Sequence, residues 1–132
     1  MYLVDSNVFL NVILHTEKYE ISRKFLNKNT RNITTTLVNL MEIFTVLTRK
    51  YKWSKEEAID IVETLKKECE ILIPNEYDFI DAYEIQQQYL LTINDALIAA
   101  IAKRENLTLI TFDKELLQYD GAITKIKTIL EY

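Results

Sequence analysis

Apolar positions along the chain follow two alternating rhythms. Tyr2-Leu3-Val4, Ile33-Thr34-Thr35-Thr36, Ile71-Leu72-Ile73, Leu107-Thr108-Leu109-Ile110-Thr111 and Ile126 to Leu130 are short apolar or β-branched runs, and they read as five strands. The longer spans between them have helical spacing: Val8–Leu14, Tyr19–Lys28, Leu37–Lys50, Ser54 to about Glu68, Glu76 to about Tyr89, Ala96–Arg104 and Lys114–Leu117. Leu37, Leu40, Met41, Phe44 and Leu47 recur one helical turn apart. Ser54 with Glu57 three positions on is a capping box, and Asn75 can cap the helix after it. Pro74 stops the third strand and Gly121 turns the chain before the last. Strands separated by crossover helices predict one doubly wound α/β domain over residues 1–132, with a parallel sheet. In such sheets function gathers at the C-terminal ends of the strands.

Composition narrows the chemistry. The 132 residues are 48% hydrophobic and 27% charged, as in a globular domain with a real core. The lone Cys69 excludes a disulfide framework and a thiolate zinc site, and with the lone His15 it points to a reducing compartment. With one glycine in the chain, glycine-dependent phosphate loops are excluded. No basic, apolar leader opens the sequence and no apolar stretch approaches about 18 residues, so a cytoplasmic protein without a membrane span is expected. The net charge of −4 argues against holding nucleic acid by bulk charge; such a role would need a local patch or metal ions.

Four acids stand where a parallel sheet would gather function. Asp5 ends the first strand, Asp113 follows the fourth, and Asp95 lies in the first turn of the helix leading into it. Glu42 sits in the helix after the second strand among Val38, Met41, Ile43 and Val46, where a carboxylate is costly without a partner. Each has a plainer reading: Asp5 and Asp113 as helix caps, Asp95 as a first-turn acid after Thr92, Glu42 as an edge residue paired with a lysine. Together, with no Lys or Arg assigned to neutralise them, they suit a hard cation, because clustered carboxylates repel. An all-oxygen site favours Mg²⁺ or Mn²⁺, which activates water for phosphodiester hydrolysis, singly or as a pair.

The motifs resemble those of a known family. Leu3-Val4-Asp5-Ser6-Asn7-Val8-Phe9-Leu10, Asn39-Leu40-Met41-Glu42-Ile43, Leu91-Thr92-Ile93-Asn94-Asp95-Ala96 and Leu109-Ile110-Thr111-Phe112-Asp113-Lys114 are similar, in order and spacing, to the four motifs of PIN domains. Small PIN proteins are mostly toxins of the VapC type. The resemblance implies a five-stranded parallel sheet in the order 3-2-1-4-5, flanked by helices. It further implies a Mg²⁺- or Mn²⁺-dependent endoribonuclease that forms a homodimer and is inhibited by a cognate antitoxin. It makes Asp5, Glu42, Asp95 and Asp113 the metal-binding, catalytic acids and Ser6, Asn7 and Thr111 their polar supports; Glu115 and Asp120 are left without a role.

Arg49-Lys50-Tyr51-Lys52-Trp53-Ser54-Lys55 interleaves basic and aromatic residues. Arg49, Lys50, Lys52 and Trp53 could contact RNA, by phosphate pairing and base stacking. The plainer reading is a solvated hairpin tip with Trp53 folded onto the core. Tyr83, Gln87 and Leu90 share a helix face that is core or dimer surface, and eight tyrosines suit an interface. Two alternatives remain: a PIN nuclease of RNA processing, and a Mg²⁺-binding receiver-like signalling domain. The latter normally has an acidic pair after the first strand, where this chain has Asp5-Ser6.

Overall fold

Five parallel strands form one sheet in the order β3-β2-β1-β4-β5 in the computed structural model, which describes residues 1–131. The strands are β1 (Tyr2–Val4), β2 (Ile33–Thr36), β3 (Glu70–Leu72), β4 (Thr108–Ile110) and β5 (Ile126–Lys127). Helices α1 (Ser6–Ile13) and α2 (Tyr19–Lys28) join β1 to β2, and α3 (Leu37–Thr45) and α4 (Lys55–Glu68) join β2 to β3. Helices α5 (Glu76–Gln88) and α6 (Ile93–Arg104) lead into β4, and α7 (Lys114–Leu117) follows it. The register pairs Leu3 with Thr34 on one side and with Leu109 on the other. The chain winds outward from β1 through β2 to β3, then returns to build β4 and β5 on the opposite side. The order therefore reverses between β1 and β4, and the crevice outside their C-terminal ends is the place for a site. A receiver-type domain runs 2-1-3-4-5, so that alternative is excluded.

Side-chain alternation distributes two cores over the two faces of the sheet. Leu3, Leu109 and Ile126 pack on one face with Ala82 and Ile85 of α5 and with α6, whose residues from Ala96 to Ala102 are all buried. A helix apolar on every side belongs inside. Val4, Ile33 and Ile110 face the other way, onto Val8, Phe9, Phe25, Leu40, Ile43, Leu47, Ala58 and Leu65 of α1 to α4 and the turn after α3. The all-polar end of β2 is buried too: Thr34 and Thr35 hydroxyls donate to the Tyr2 and Val4 carbonyls at 3.0 and 2.9 Å. Cys69 sits half-buried in this second core, and burial, then Glu68, pushes its thiol up to about 11.

Some elements end earlier than the hydrophobic pattern implies. Thr36 pairs with Leu72 and the chain then turns into α3, so β3 has no partner for Ile73, which is 58% exposed. Likewise β5 stops after Lys127, opposite the end of β4, and Ile129 buries itself in a 3₁₀ turn instead of extending the strand. The helix expected to reach Lys50 widens over Val46–Lys50 into a π turn closed by Tyr51 N–H on the Val46 carbonyl at 3.2 Å. Tyr83 and Leu90 are exposed, on the surface rather than in the core. Among the described residues no helix is long and apolar enough to cross a membrane.

A bidentate clasp ties α5 to α6. Arg104 Nε and Nη2 donate to the two carboxylate oxygens of fully buried Asp78 at 2.9 and 3.0 Å, while Asp78 also closes the capping box with Asn75. Arg104→Met should therefore lower unfolding stability by about 1–2 kcal/mol in urea titration, the cost of a half-satisfied buried acid lessened by partial solvent access. An unchanged urea midpoint would mean that the clasp contributes nothing.

Candidate active site

The first acid is fixed by four donors. Asp5 leaves β1 and caps α1, its Oδ1 accepting from Ser6 N–H at 2.8 Å and from Asn39 Nδ2 at 2.9 Å. Its Oδ2 accepts from the Thr111 hydroxyl at 2.7 Å and from Asn7 Nδ2 at 3.4 Å. Glu42 is brought in from α3, where its Oε1 accepts from the Ser6 hydroxyl at 2.9 Å. Thr111 joins the end of β4 to the same point, since its hydroxyl oxygen accepts from Asp113 N–H at 2.9 Å and Asn7 Nδ2 at 3.1 Å. Asn7 Oδ1 takes Phe112 N–H at 3.2 Å, so one asparagine braces both neighbouring strand ends. Asp113 caps α7 through Glu115 N–H at 2.9 Å. Asp95 is half-buried in the first turn of α6, its own N–H on the capping hydroxyl of Thr92 at 3.2 Å. The capping roles are thus present in the same residues that converge.

Electrostatics tie the four acids into one group. Burial, then the charges of Asp5, Asp113 and Glu42, together raise the Asp95 carboxyl to about 7. Glu42 is raised by burial, then by Asp5 and Asp113, against the Ser6 hydrogen bond. Asp5 is raised chiefly by burial, opposed by the bonds from Thr111, Ser6 and Asn39. Charge repulsion of this kind places the acids in one neighbourhood. Among the described residues no lysine or arginine forms an ion pair with any of the four. The donor set is hard oxygen throughout, which fits a hard divalent cation. Among the described residues no three acidic, histidine or cysteine side chains close into a ready-made ligand shell. Ligation by more than two of the four therefore calls for side-chain rotation.

The remaining sequence candidates lie apart or beside this group. Arg49, Lys50 and Lys52 are exposed on the π turn and the loop after it, with Lys50 Nζ 5.5 Å from the Tyr51 ring centre and Lys52 at φ 59°. Trp53 is half-buried against the second core, which takes up much of its stacking surface. Glu115 sits in the first turn of α7, and Asp120 is used elsewhere, accepting from Ile126 N–H at 2.8 Å and Lys127 Nζ at 2.7 Å. Lys18 Nζ lies 4.7 Å from the ring centre of Phe112, next to Asp113. Sequence reasoning gave no role to Asn39, which is fully buried and touches both Asp5 and Ser6. Its one signal is the spacing Thr36-x-x-Asn39 at a helix start.

Fold and site define a doubly wound α/β protein with an all-oxygen acidic centre at the switch point. The PIN domain family model matches residues 2–122, and the chain belongs to this nuclease family. No curated protein matches the sequence. Among solved structures it is similar to DNA-bound VapBC from Salmonella typhimurium, with TM-score 0.79, 20% identity and 97% of each chain covered. It is also similar to FitAcB from Neisseria gonorrhoeae, with TM-score 0.76, 18% identity and 100% of each chain covered. Mycobacterium tuberculosis VapC20, a sarcin-ricin-loop-cleaving toxin, gives TM-score 0.78 at 13% identity, over 89% of this chain and 94% of that one. At these identities the likeness is one of fold.

Proposed function

We propose that this chain is a Mg²⁺- or Mn²⁺-dependent endoribonuclease and the toxin of a VapBC-type pair. The observation that carries the reading is the convergence of Asp5, Glu42, Asp95 and Asp113 from four chain segments with no cationic side chain among the described residues paired to them. These four would hold the ion. When bound, it supplies an activated water and stabilises the charge that develops on the phosphodiester. The chain's own groups do the rest. Ser6, Asn39 and Thr111 hold Asp5 in one orientation, so the rotation that ligation requires falls to the other acids. Asp95, its carboxyl raised by burial and by the neighbouring acids, must give up its proton when a cation arrives, so ion binding should strengthen as pH rises. Exposed Arg49, Lys50 and Lys52 offer phosphate contacts, with half-buried Trp53 next to them in the chain.

The partners follow from the same reading. A groove of about 570 Å³ between α1, α2 and α4, lined by Phe9, Val12, Ile13, Leu26, Ile61 and Leu65, suits an apolar antitoxin segment. The similarity to toxin–antitoxin complexes supports this occupant. Tyr77, Phe79, Ile80 and Tyr83 leave α5 with an apolar exposed surface, which supports a homodimer. A PIN nuclease of RNA processing would share the chemistry but would not be silenced by an antitoxin.

Total cellular RNA incubated with the protein and Mn²⁺, with new 5′ ends mapped, tests the activity. Discrete cuts are expected, and they should disappear in excess EDTA. Undiminished cutting in EDTA would overturn the metal-dependent reading. Failure of any co-expressed partner to inhibit an active enzyme would leave the nuclease and remove the toxin.

A further inference from the structure

Resting on the nuclease reading, we infer that Asn39 is a positioning residue that sets Asp5 and Glu42 in fixed relation, directly on the first and through Ser6 on the second. Its side chain is fully buried, and every polar atom of its amide is engaged. The partners fix which way it faces. Thr36 N–H, at 3.3 Å, can only donate, so the amide atom beside it is the oxygen. The ionised carboxylate of Asp5 can only accept, so the atom 2.9 Å from it is the nitrogen.

Proton bookkeeping then gives the set a direction. The Thr36 hydroxyl oxygen accepts Asn39 N–H at 3.1 Å, leaving its own proton for Asn39 Oδ1 at 2.7 Å. Asn39 Nδ2 spends one proton on Asp5 Oδ1 and the other on Ser6 Oγ, both at 2.9 Å. Ser6 Oγ, now an acceptor, has one proton left, and Glu42 Oε1 at 2.9 Å is nearer than the Asn39 carbonyl at 3.3 Å. The order Thr36 to Asn39 to Ser6 to Glu42 thus ends on a donated bond to one acid, with a branch to the other. Asn39 and Glu42 are three residues apart on α3 and share a face. The amide therefore locks the end of β1 to the helix that carries the second acid. Leucine has nearly the same size and no donor. In its place Asp5 Oδ1 keeps only Ser6 N–H, and the Ser6 hydroxyl is free to turn to the backbone carbonyl.

Asn39→Leu, Thr36→Val and Thr36→Ser test this. Thr36 bonds neither acid; its hydroxyl reaches the site through the Asn39 amide and, as the N-cap of α3, through the Asn39 backbone N–H, and a loss of the cap shows in the melting temperature. Mn²⁺ affinity of the RNA-free protein, read from the free-ion paramagnetic resonance signal, is measured beside kcat, KM and the melting temperature. Asn39→Leu should weaken Mn²⁺ binding about 10–100-fold, as loss of an orienting partner does. It should lower kcat and leave KM for RNA nearly unchanged. Thr36→Val should move the same quantities less, and Thr36→Ser should restore wild-type values. If Asn39→Leu does not fold, the Thr36 pair decides alone. A folded Asn39→Leu with wild-type Mn²⁺ affinity and kcat, or equal behaviour of Thr36→Val and Thr36→Ser, overturns the positioning role alone. A wild type that neither binds Mn²⁺ nor cleaves RNA overturns the nuclease reading and this role with it.

Discussion

Asp5→Asn should lower the rate of Mn²⁺-supported RNA cleavage at least about 100-fold while the protein stays folded, the usual scale for losing one electrostatic partner of a transition state. Asparagine matches aspartate in size and keeps an oxygen for Ser6 N–H and Asn39 Nδ2. What changes is the charge, and the atom facing Thr111. The Thr111 hydroxyl donates to Asp5 at 2.7 Å and already accepts from Asp113 N–H and Asn7. A new amide there leaves one donor poorly matched, a local loss of about 1 kcal/mol. Relief of repulsion among the acids offsets it, because the remaining carboxylates lose a negative neighbour that raises Glu42 and Asp95. Single-turnover cleavage of a labelled RNA, measured beside thermal melting, separates chemistry from folding. A folded Asp5→Asn that cuts within about tenfold of wild type would remove Asp5 from the chemistry and leave it a helix cap.

The sheet was legible because its signals are local. Tyr2-Leu3-Val4 and Leu109-Ile110 show the apolar character of strands buried on both faces, and Ser54, Asn75 and Thr92 bond where their capping sequences place them. Strand ends were less so. Whether Ile73 or Thr128 continues a strand depends on where the neighbouring strand stops, and that is a property of the register. The π turn at Val46–Lys50 is likewise invisible to a spacing argument, since Leu47 falls on the apolar face either way and is fully buried.

In the site, Asp5 and Asp113 could be found from the rule that function gathers at strand ends. Asp95 enters at a helix start, and its nearness to Asp5 follows only from the reversal of winding between β1 and β4. Asn39 was out of reach for a different reason. Its partners Asp5 and Ser6 lie 34 and 33 residues away, and asparagine in the first turn of a helix is ordinary. The role comes from complete burial and from having every amide proton committed, which are facts of packing. Trp53 shows the converse: its basic neighbours suggested a stacking surface, and the core claimed much of the ring.

Asp95→Asn should stabilise the metal-free protein at neutral pH by roughly 1–2 kcal/mol, and it should flatten the dependence of stability on pH. Burial, then Asp5, Asp113 and Glu42, push the Asp95 carboxyl up to about 7 in the folded chain. In the unfolded chain it titrates at about 3.9. A raised folded value means that the native state holds the proton more tightly. Its contribution is complete below about pH 4, declines as pH rises through about 7, and is gone above that. The full span of the shift would exceed 1–2 kcal/mol, but water reaches part of the side chain and screens it. Asparagine carries no such proton, so that part of the decline between pH 4 and 7 should vanish. Asp5 and Glu42, also raised, should keep the rest. A cation that binds only the native state raises the melting temperature in proportion to its affinity, so Mg²⁺ should stabilise wild type more than Asp95→Asn. Melting of both proteins in EDTA and in millimolar Mg²⁺, across this pH range, reads all three effects. If Asp95→Asn melts lower in EDTA and gains as much from Mg²⁺ as wild type, Asp95 is a first-turn residue of α6 and nothing more. The ion would then belong to Asp5, Glu42 and Asp113, held between β1, α3 and the end of β4 without the start of α6.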